Sequence, residues 1–273
     1  MPEHHSRLFR SKTLVYTDSL WAGQTVTPGL WSLLNQRDRL IEITSGGPHW
    51  QVVLGAPHHA APGVDGIAAD WRDPRTGDLG RAADEMVGLL ALAAFTCLQQ
   101  QGISCKLVIA AHPTDHDPNK TAGCPYWDNL LSTPQPALIF ELHGAAKRRW
   151  YDLELSAGKN RLARPLWMGR QIARRLPVPL VLAAQAEPGV KHGFLLAGLQ
   201  ETECRLQNPA LRTTLLEAAG QAGIPALHLE AKRIFRQPDP GFPDDPRPTA
   251  AAWDLARALA AACTEELRSN HKE

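Results

Sequence analysis

The chain has 273 residues, 44% of them hydrophobic, which suits a folded α/β protein with a full core and argues against a disordered chain. Its 29 basic and 28 acidic residues leave a formal net charge of +1, which gives no indication of a nucleic-acid partner. Five scattered cysteines without a CxxC pair indicate reduced thiols and a cytoplasmic location. No apolar run is long enough to span a membrane, and the amino-terminal segment lacks the apolar core of a secretion signal.

Strand and helix patterns begin to alternate in the first half of the chain. Short strands are predicted at 14–16 and at 49–56, the second of them stopped by Pro57, and residues 30–43 have mixed helical spacing. A loop rich in Gly, Pro and Asp covers 60–77. Asp78 then resembles an N-cap, and apolar residues at helical spacing predict a helix to about Gln100.

The alternation continues in the second half. Strands are predicted at 106–111, 137–143, 151–155, 179–184 and 226–230, and helices at 160–176, 209–222 and 248–267. Such alternation implies right-handed crossovers. We therefore predict one α/β hydrolase-type domain over residues 1–273, with a mostly parallel or mixed central sheet and helices on both faces.

Three of these strands end on His or Glu. Their sequences are QVVLGAPHHA at 51–60, PALIFELHGA at 136–145 and IPALHLEAK at 224–232. An open α/β sheet brings the carboxyl ends of its strands to one crevice, where ligands bind. Two histidines and carboxylates delivered to that crevice are what a catalytic zinc site needs.

The two histidines of this prediction are His58 and His143. His59 competes with His58, because only one of two adjacent side chains is expected to point into the crevice. His143 shares its face of the strand with Glu141 and is followed by Gly144, which permits another group to approach closely. The alternatives are a polar loop residue for His58 and a hydrogen-bonded strand-end histidine for His143.

The carboxylate ligand has two candidates, Asp78 and Glu85, which lie seven residues apart on one side of the predicted helix. Asp78 could instead be only an N-cap, and Glu85 could belong to a solvated helix face. Glu230 ends a strand predicted to be buried, where a carboxylate is costly without a partner. It is either a general base and acid beside the metal or a salt-bridge partner of the basic residues that follow it.

Polar residues also crowd the loop at 112–127. Asn119 and Lys120 match a substrate carboxylate by hydrogen bond and charge, and His112 or His116 could hold the oxyanion or the substrate. A second set of metal ligands is the alternative for this loop. The sequence contains no GxGxxG, P-loop or GxSxG motif, which weighs against nucleotide-dependent chemistry and a serine-hydrolase mechanism.

Taken in order, five short motifs resemble the N-formylglutamate amidohydrolase family, which is related in fold to succinylglutamate desuccinylases and zinc carboxypeptidases. They are PHHA, the DLG that opens the long helix, HDPNK, ELHGA and HLEAKRIFR, and they span residues 51–236. The resemblance implies one zinc ion held by His58, His143 and a carboxylate, with water completing the shell. It also implies that Glu230 is the catalytic glutamate.

The same resemblance bears on substrate binding. Asn119–Lys120 is similar to an Asn-Arg pair that holds a substrate carboxylate in related enzymes. Lysine cannot make the planar two-point contact of arginine, so specificity is expected to differ.

These observations predict a zinc-dependent amidohydrolase that cleaves an amide bond of an N-acyl or γ-linked amino acid with a free carboxylate. Its partner would be a small-molecule substrate, with no nucleic acid or membrane involved. Three alternatives remain: a metal carboxypeptidase-like peptidase, a non-catalytic binding protein on the same fold, and a metal-free enzyme of the related phosphorylase-like fold. A non-catalytic binding protein would be marked by loss of a ligand or of the late glutamate, and both are present here. The metal-free enzyme would not need two strand-end histidines together with Glu230.

Overall fold

The computed structural model describes residues 14–16, 20–36, 39–45, 49–62, 64, 84–111, 117–119, 123–132, 136–145, 152–156, 163–177, 181–182, 193–196, 215–242, 244 and 246–270. The strands are β1 (Leu14–Tyr16), β2 (Trp21–Ala22), β3 (Thr25–Val26), β4 (Arg39–Thr44), β5 (Val52–Ala60), β6 (Asp84–Glu85), β7 (Cys105–Ala111), β8 (Leu138–Gly144), β9 (Leu153–Ser156), β10 (Val181–Leu182), β11 (Gly193–Leu196) and β12 (Ala226–Ala231). The helices are α1 (Pro28–Leu34), α2 (Val87–Gln100), α3 (Pro125–Leu131), α4 (Ala163–Ala173), α5 (Leu215–Gln221) and α6 (Ala250–Asn270).

One mixed sheet contains ten of the described strands. Its order is β1-β4-β7-β5-β8-β12-β9-β11-β10, and β6 pairs with β5 outside this row. The pairs β4–β7 and β12–β9 are antiparallel, and every other described pair in this sheet is parallel. Strand β12 therefore joins two groups of strands, since it pairs with β8 on one side and with β9 on the other.

Helices cover both faces of the sheet, which confirms the predicted fold class. Side chains of α1, α2, α4 and α6 pack on one face, and side chains of α3 and α5 pack on the other. The central strands β5 and β7 are buried along their whole length, as expected for strands with covered faces and near-continuous apolar sequences. Helices α1 and α3 both begin at a proline, whose missing N–H is not needed in the first turn.

Strand β5 continues through Pro57, so the prediction that this proline stops the strand is wrong. Its register against β7 shifts between Ala56 and His59, and its pairing with β8 ends at Gly55. Proline is tolerated at such an irregularity because no regular hydrogen bond to a neighbouring strand is required there. The continuation carries His58 and His59 beyond the regular part of the sheet, where His59 lies opposite Asp84 of β6.

The structure also changes the boundary of the long helix. Helix α2 begins at Val87, and Asp84 and Glu85 form a strand instead of continuing the helix. Met86 connects the two with a φ of 61°, a left-handed conformation that interrupts any helix at this point. Asp78, the predicted N-cap, lies outside the described residues.

Other predictions agree more closely. The mixed pattern at 30–43 divides into the end of α1 and most of β4, and the strands predicted at 106–111, 137–143 and 226–230 correspond to β7, β8 and β12. Strand β11 was not predicted. Among the described residues, no helix is both long and apolar enough to cross a membrane.

Candidate metal centre

Three neighbouring parallel strands end together at the carboxyl edge of the sheet. They are β5, β8 and β12, the strands that carry the three motifs singled out in the sequence. His143 of β8 lies directly beside Glu230 of β12 in the strand register. The sequence prediction that these strand ends meet at one edge is therefore confirmed.

Two histidines and one aspartate form a compact cluster at this edge. The Nδ1 atoms of His58 and His143 each lie 3.4 Å from Oδ2 of Asp84. The two imidazole rings meet edge to face, with their centroids 4.9 Å apart. All three residues are buried, and the atoms that each can offer to a metal lie within 4.8 Å of one another.

The chemistry of this donor set fits a divalent metal ion. Two imidazole nitrogens and one carboxylate oxygen are a ligand set found in catalytic zinc sites, which leave a further position for water or substrate. Oδ2 of Asp84 is buried and has no hydrogen-bond partner in the described structure. A buried carboxylate oxygen without a hydrogen bond is costly, and an ion between it and the two nitrogens would remove that cost.

Asp117 orients His58 from the far side of the ring. Its Oδ1 lies 2.7 Å from Nε2 of His58, and the Asp117 side chain is fully buried. In the His58 tautomer that can bind a metal, the proton is on Nε2 and is donated to Asp117. The lone pair of Nδ1 then faces Asp84 and His143. Such a carboxylate behind a ligating histidine fixes the tautomer and makes the ligand more basic.

Glu141 occupies the corresponding position behind His143, although more loosely. Its Oε2 lies 3.9 Å from Nε2 of His143, and its Oε1 accepts a hydrogen bond of 2.9 Å from the hydroxyl of Tyr126. Gly55 makes room for this hydroxyl, because a Cβ at that position would lie 2.2 Å from it. The hydrogen bond thus connects α3 to the carboxylate behind the His143 ring.

Without a metal ion, protons would balance the charges of the cluster. Burial opposes ionisation of Asp84, but His143 and His58 outweigh it and hold the pKa of Asp84 well below its usual range. Burial likewise opposes protonation of His143, but Asp84 and Glu141 raise its pKa to about 10. Burial also disfavours protonation of His58, but Asp117 and Asp84 raise its pKa. A metal ion would have to displace protons from these histidines, which makes its binding pH-dependent.

Glu230 lies next to this cluster and is half-buried. Its Oε1 is 3.7 Å from Nε2 of His228, which lies two residues earlier on the same face of β12. The ring of His228 stacks on that of His143, with centroids 4.0 Å apart and an interplanar angle of 22°. Burial and the nearby charge of His143 lower the pKa of His228, so this ring presents a neutral surface beside the ligand.

The two predicted carboxylate ligands are not in the cluster that the structure describes. Asp78 lies outside the described residues, and Glu85 binds elsewhere: its Oε2 accepts a 2.9 Å hydrogen bond from Nε2 of Gln237 and lies 3.6 Å from a guanidinium nitrogen of Arg233. The prediction placed Glu85 on a helix, but it belongs to strand β6. Adjacent side chains of a strand point to opposite faces, which separates Glu85 from Asp84.

His59 points away from the cluster, as expected for the neighbour of a strand residue that points into it. Its Nδ1 accepts a 3.1 Å hydrogen bond from the N–H of Gly88, in the first turn of α2, and its Nε2 lies 2.9 Å from the carbonyl oxygen of Leu34 at the end of α1. His59 therefore ties two helices to β5.

The predicted substrate loop is described only at 117–119 and from residue 123 onward; His112, His116 and Lys120 lie outside the described residues. Asn119 is buried, and its Oδ1 and its carbonyl oxygen both accept from the N–H of Leu215, at the start of α5. Its backbone N–H donates to Asp117. The role of this loop in binding a substrate carboxylate remains a prediction.

Sequence reasoning missed three residues of this site, namely Asp84, Asp117 and His228. Asp84 is adjacent to the predicted ligand Glu85. The prediction of a helix here did not allow for strand β6, which directs Asp84 toward the cluster. Asp117 belongs to the HDPNK motif, and its position two residues before Asn119 gave no sign that it binds His58. For His228 the sequence offers one indication. His228 and Glu230 are two residues apart in a strand and therefore lie on the same face.

No protein-family model matches the chain, and no curated protein matches it significantly. Among solved structures, the chain is similar to an N-formylglutamate amidohydrolase from Ralstonia eutropha JMP134, at 12% identity and a TM-score of 0.46, covering 86% of this chain and 99% of that one. It is also similar to a metallo-carboxypeptidase from Burkholderia cenocepacia, at 11% identity and a TM-score of 0.46, covering 85% of this chain and 61% of that one.

A third similar structure is a bacteriophage poly-gamma-glutamate hydrolase, at 13% identity and a TM-score of 0.44, covering 86% of this chain and 91% of that one. The family that the sequence motifs resemble is thus represented among the similar structures. At these identities and TM-scores the likeness is distant.

Proposed function

We propose that this protein is a metal-dependent amidohydrolase, with zinc as the resident ion, that cleaves an amide bond of an N-acyl or γ-linked amino acid with a free carboxylate. The observation that carries the proposal is the convergence of His58, Asp84 and His143 on one point, where a buried Asp84 oxygen has no hydrogen-bond partner in the described structure. The position of Glu230 beside His143 adds a second carboxylate for proton transfer.

In this proposal Nδ1 of His58, Nδ1 of His143 and the Asp84 carboxylate would hold the metal. When bound, a zinc ion polarises a carbonyl oxygen and lowers the pKa of a water molecule from 15.7 toward about 7. Asp117 keeps the His58 ring in the tautomer that leaves Nδ1 free to bind. The residues of the chain then have to orient the substrate and move the protons.

Glu230 is the proposed general base and acid. Its carboxylate would accept a proton from the attacking water and donate it to the leaving nitrogen, so that an amine leaves instead of an amide anion. His228, 3.7 Å from Glu230, limits the directions in which this carboxylate can turn. Glu230 thus lies beside a pair of stacked imidazole rings, those of His228 and His143.

Metal analysis of the purified protein tests the metal site. We expect about one zinc ion per chain in the wild type and a large loss in His143→Ala, because one of three protein ligands is removed. His49→Ala is a matched control, since His49 is exposed. A wild type without metal, or a His143→Ala variant with full metal content, would refute the site.

A screen of N-acyl and γ-linked amino acids with Glu230→Gln tests the proton-transfer role. This substitution keeps the shape of the side chain and removes the base, so kcat should fall by a factor of about 100 to 10,000 while zinc content stays near that of the wild type. Loss of metal together with activity would reassign Glu230 as a ligand. Full activity would leave it a structural residue.

Substrate recognition by the loop at 117–120 is part of the proposal. We expect Lys120→Ala to raise KM for carboxylate-bearing substrates more than for their amides, because Lys120 would supply the positive charge. Equal effects on both substrate forms would argue against a carboxylate contact.

We also propose that the protein acts in the cytoplasm on small molecules, without nucleic-acid or membrane partners. The four cysteines within the described residues are free and buried, which agrees with a reducing compartment.

A further inference from the structure

We infer that Arg236 is a positioning residue of the metal centre: its guanidinium fixes the short strand β6 and thereby holds the Asp84 carboxylate between His58 and His143. The inference rests on the metal site proposed above. Arg236 is a buried arginine that is neither a proposed metal ligand nor a proposed proton carrier.

Arg236 bridges the end of β12 and strand β6. Its side chain is buried, and its Nε donates a 3.3 Å hydrogen bond to the carbonyl oxygen of Ala231, the last residue of β12. Its Nη1 donates to the carbonyl oxygen of Glu85, the residue directly after Asp84. One rigid guanidinium thus connects the strand that carries the proposed base to the strand that carries the proposed carboxylate ligand.

Gly144 creates the space for this bridge. A Cβ at position 144 would lie 2.8 Å from Cζ and 2.9 Å from Nε of Arg236, closer than real Cβ contacts allow. The guanidinium therefore packs directly on the backbone that follows His143. Arg236 is thus connected to two proposed ligands. It packs on Gly144, the residue after His143, and it hydrogen-bonds to Glu85, the residue after Asp84.

The side chain of Glu85 strengthens the same connection. Gln237 donates to its carboxylate at 2.9 Å, and Arg233 lies 3.6 Å from it. Glu85 is therefore held through its backbone by Arg236 and through its side chain by two neighbours of Arg236. We call Arg233, Arg236 and Gln237 the β6 clamp.

Strand β6 needs such support because, within the described part of the chain, it is only two residues long. Among the described strands it pairs only with β5, at His59 and Ala60, and it is followed by Met86 in a left-handed conformation. Two residues provide too few hydrogen bonds to define the position of a side chain to the accuracy that a metal site requires.

The hydrogen bonds of Arg236 fit a positioning role better than membership of a structural ion pair. Within the described chain it has no carboxylate within ion-pair distance, and the acceptors of its hydrogen bonds are carbonyl oxygens. A buried cation is costly unless a nearby anion balances it. The hydrogen bonds of Arg236 therefore fix the backbone at the end of β12 and at Glu85, the residue directly after Asp84.

Metal affinity and the visible spectrum of the cobalt(II)-loaded protein test the inference. We expect Arg236→Ala and Gly144→Ala to weaken metal binding by about 10- to 100-fold, as loss of a group that orients a ligand does. Both should change the cobalt absorption bands, which report ligand geometry and are insensitive to stability alone. Arg257→Ala is the control, because Arg257 is an exposed arginine of α6 that pairs with Asp254.

Chemical rescue separates a missing group from a damaged fold. Millimolar guanidinium ion should restore part of the metal affinity in Arg236→Ala, where it can enter the vacated space, and none in Gly144→Ala, where the Arg236 guanidinium is still present and is only displaced by the new methyl group. If Arg236→Ala does not fold, Gln237→Ala removes one hydrogen bond of the β6 clamp and should still weaken metal binding several-fold.

The outcomes distinguish the two proposals. A wild type that binds neither zinc nor cobalt overturns the proposed function itself. A wild type that binds metal, with Arg236→Ala, Gly144→Ala or Gln237→Ala of unchanged affinity and spectrum, overturns only the role of Arg236 and leaves the metal site standing.

Discussion

Adjacent histidines in β5 have opposite surroundings. His58 meets two carboxylates and has a raised pKa, whereas burial lowers the pKa of His59 to about 4, against a weaker opposing effect of its hydrogen bond to Leu34. His59 is therefore neutral at physiological pH and serves as one acceptor and one donor between two helices. A single residue step along a strand separates a proposed ligand from a structural residue.

The neutral state of His59 predicts an acid-sensitive contribution to stability. Below pH 6.5 the unfolded chain takes up a proton at this histidine that the folded chain does not. The contribution of His59 is therefore complete above pH 6.5 and is lost as pH falls toward 4. Between pH 7 and 5 we expect the stability advantage of the wild type over His59→Gln to shrink by about 2 kcal/mol in urea denaturation.

His49→Gln is the matched control for this measurement, because His49 is an exposed histidine. If the difference between wild type and His59→Gln were constant from pH 7 to 5, His59 would not be neutral in the folded protein.

Asp117 provides a second prediction at the scale of single residues. Asp117→Asn can still hydrogen-bond Nε2 of His58, but it carries no charge and can present its amide N–H, which favours the wrong tautomer. We expect metal affinity to fall by about 10- to 100-fold with the fold retained. Asp254→Asn on the exposed surface of α6 should have no effect, and an equal loss there would exclude a specific role for Asp117.

At the scale of elements, α3 is attached to the sheet through a polar contact beside the cluster. The hydroxyl of Tyr126 fits against Gly55 of β5 and reaches Glu141 of β8. Burial and the charge of Glu141 raise the pKa of Tyr126, so the hydroxyl stays protonated and donates. The absence of a side chain at Gly55 is therefore a condition for this contact.

A double-mutant cycle tests this fit. Gly55→Ala alone should destabilise the protein by about 1–3 kcal/mol, since the new methyl group meets the hydroxyl. In a Tyr126→Phe background the same substitution should cost at least about 1 kcal/mol less, because the closest clash is gone. Gly55→Ala combined with Ser269→Ala, at the end of α6 on the other face, should be additive. Additivity in both pairs would contradict the contact.

Element patterns account for what the sequence could and could not predict. Strands β5, β8 and β12 have long apolar runs that identify them, so the meeting of His58, His143 and Glu230 at one edge was predictable. Strand β6 has no such signal. The position of β6 depends on contacts with β5 and with the β6 clamp, both of which are far from it in sequence. The sequence therefore predicts Asp78 or Glu85 as the carboxylate ligand and gives no reason to choose Asp84. Pro57 does not end β5, contrary to the prediction, because proline interrupts regular strand pairing but is tolerated where the pairing is already irregular.

At the scale of the whole molecule, the cluster links separate parts of the chain. Its three members come from β5, β6 and β8, and an ion that binds only the folded protein stabilises all three together. We expect zinc at 100 times its Kd to increase the free energy of unfolding by about 2.7 kcal/mol and to raise Tm accordingly. A chelator should reverse the shift. His143→Ala should show none, and an equal shift in that variant would mean that the ion binds elsewhere.

Strand β12 has a consequence for how the protein is made. It inserts between β8 and β9, although β9, β10 and β11 all precede it in the chain. A chain emerging from the ribosome must therefore keep a gap in the middle of its largest sheet until residues 226–231 appear. Until then β8 and β9 each present an open edge, the kind of surface to which other chains add strands. Since non-local pairing also slows folding, we expect chains that terminate before β12 to aggregate, and chaperones that cover strand edges to raise the yield of the complete protein.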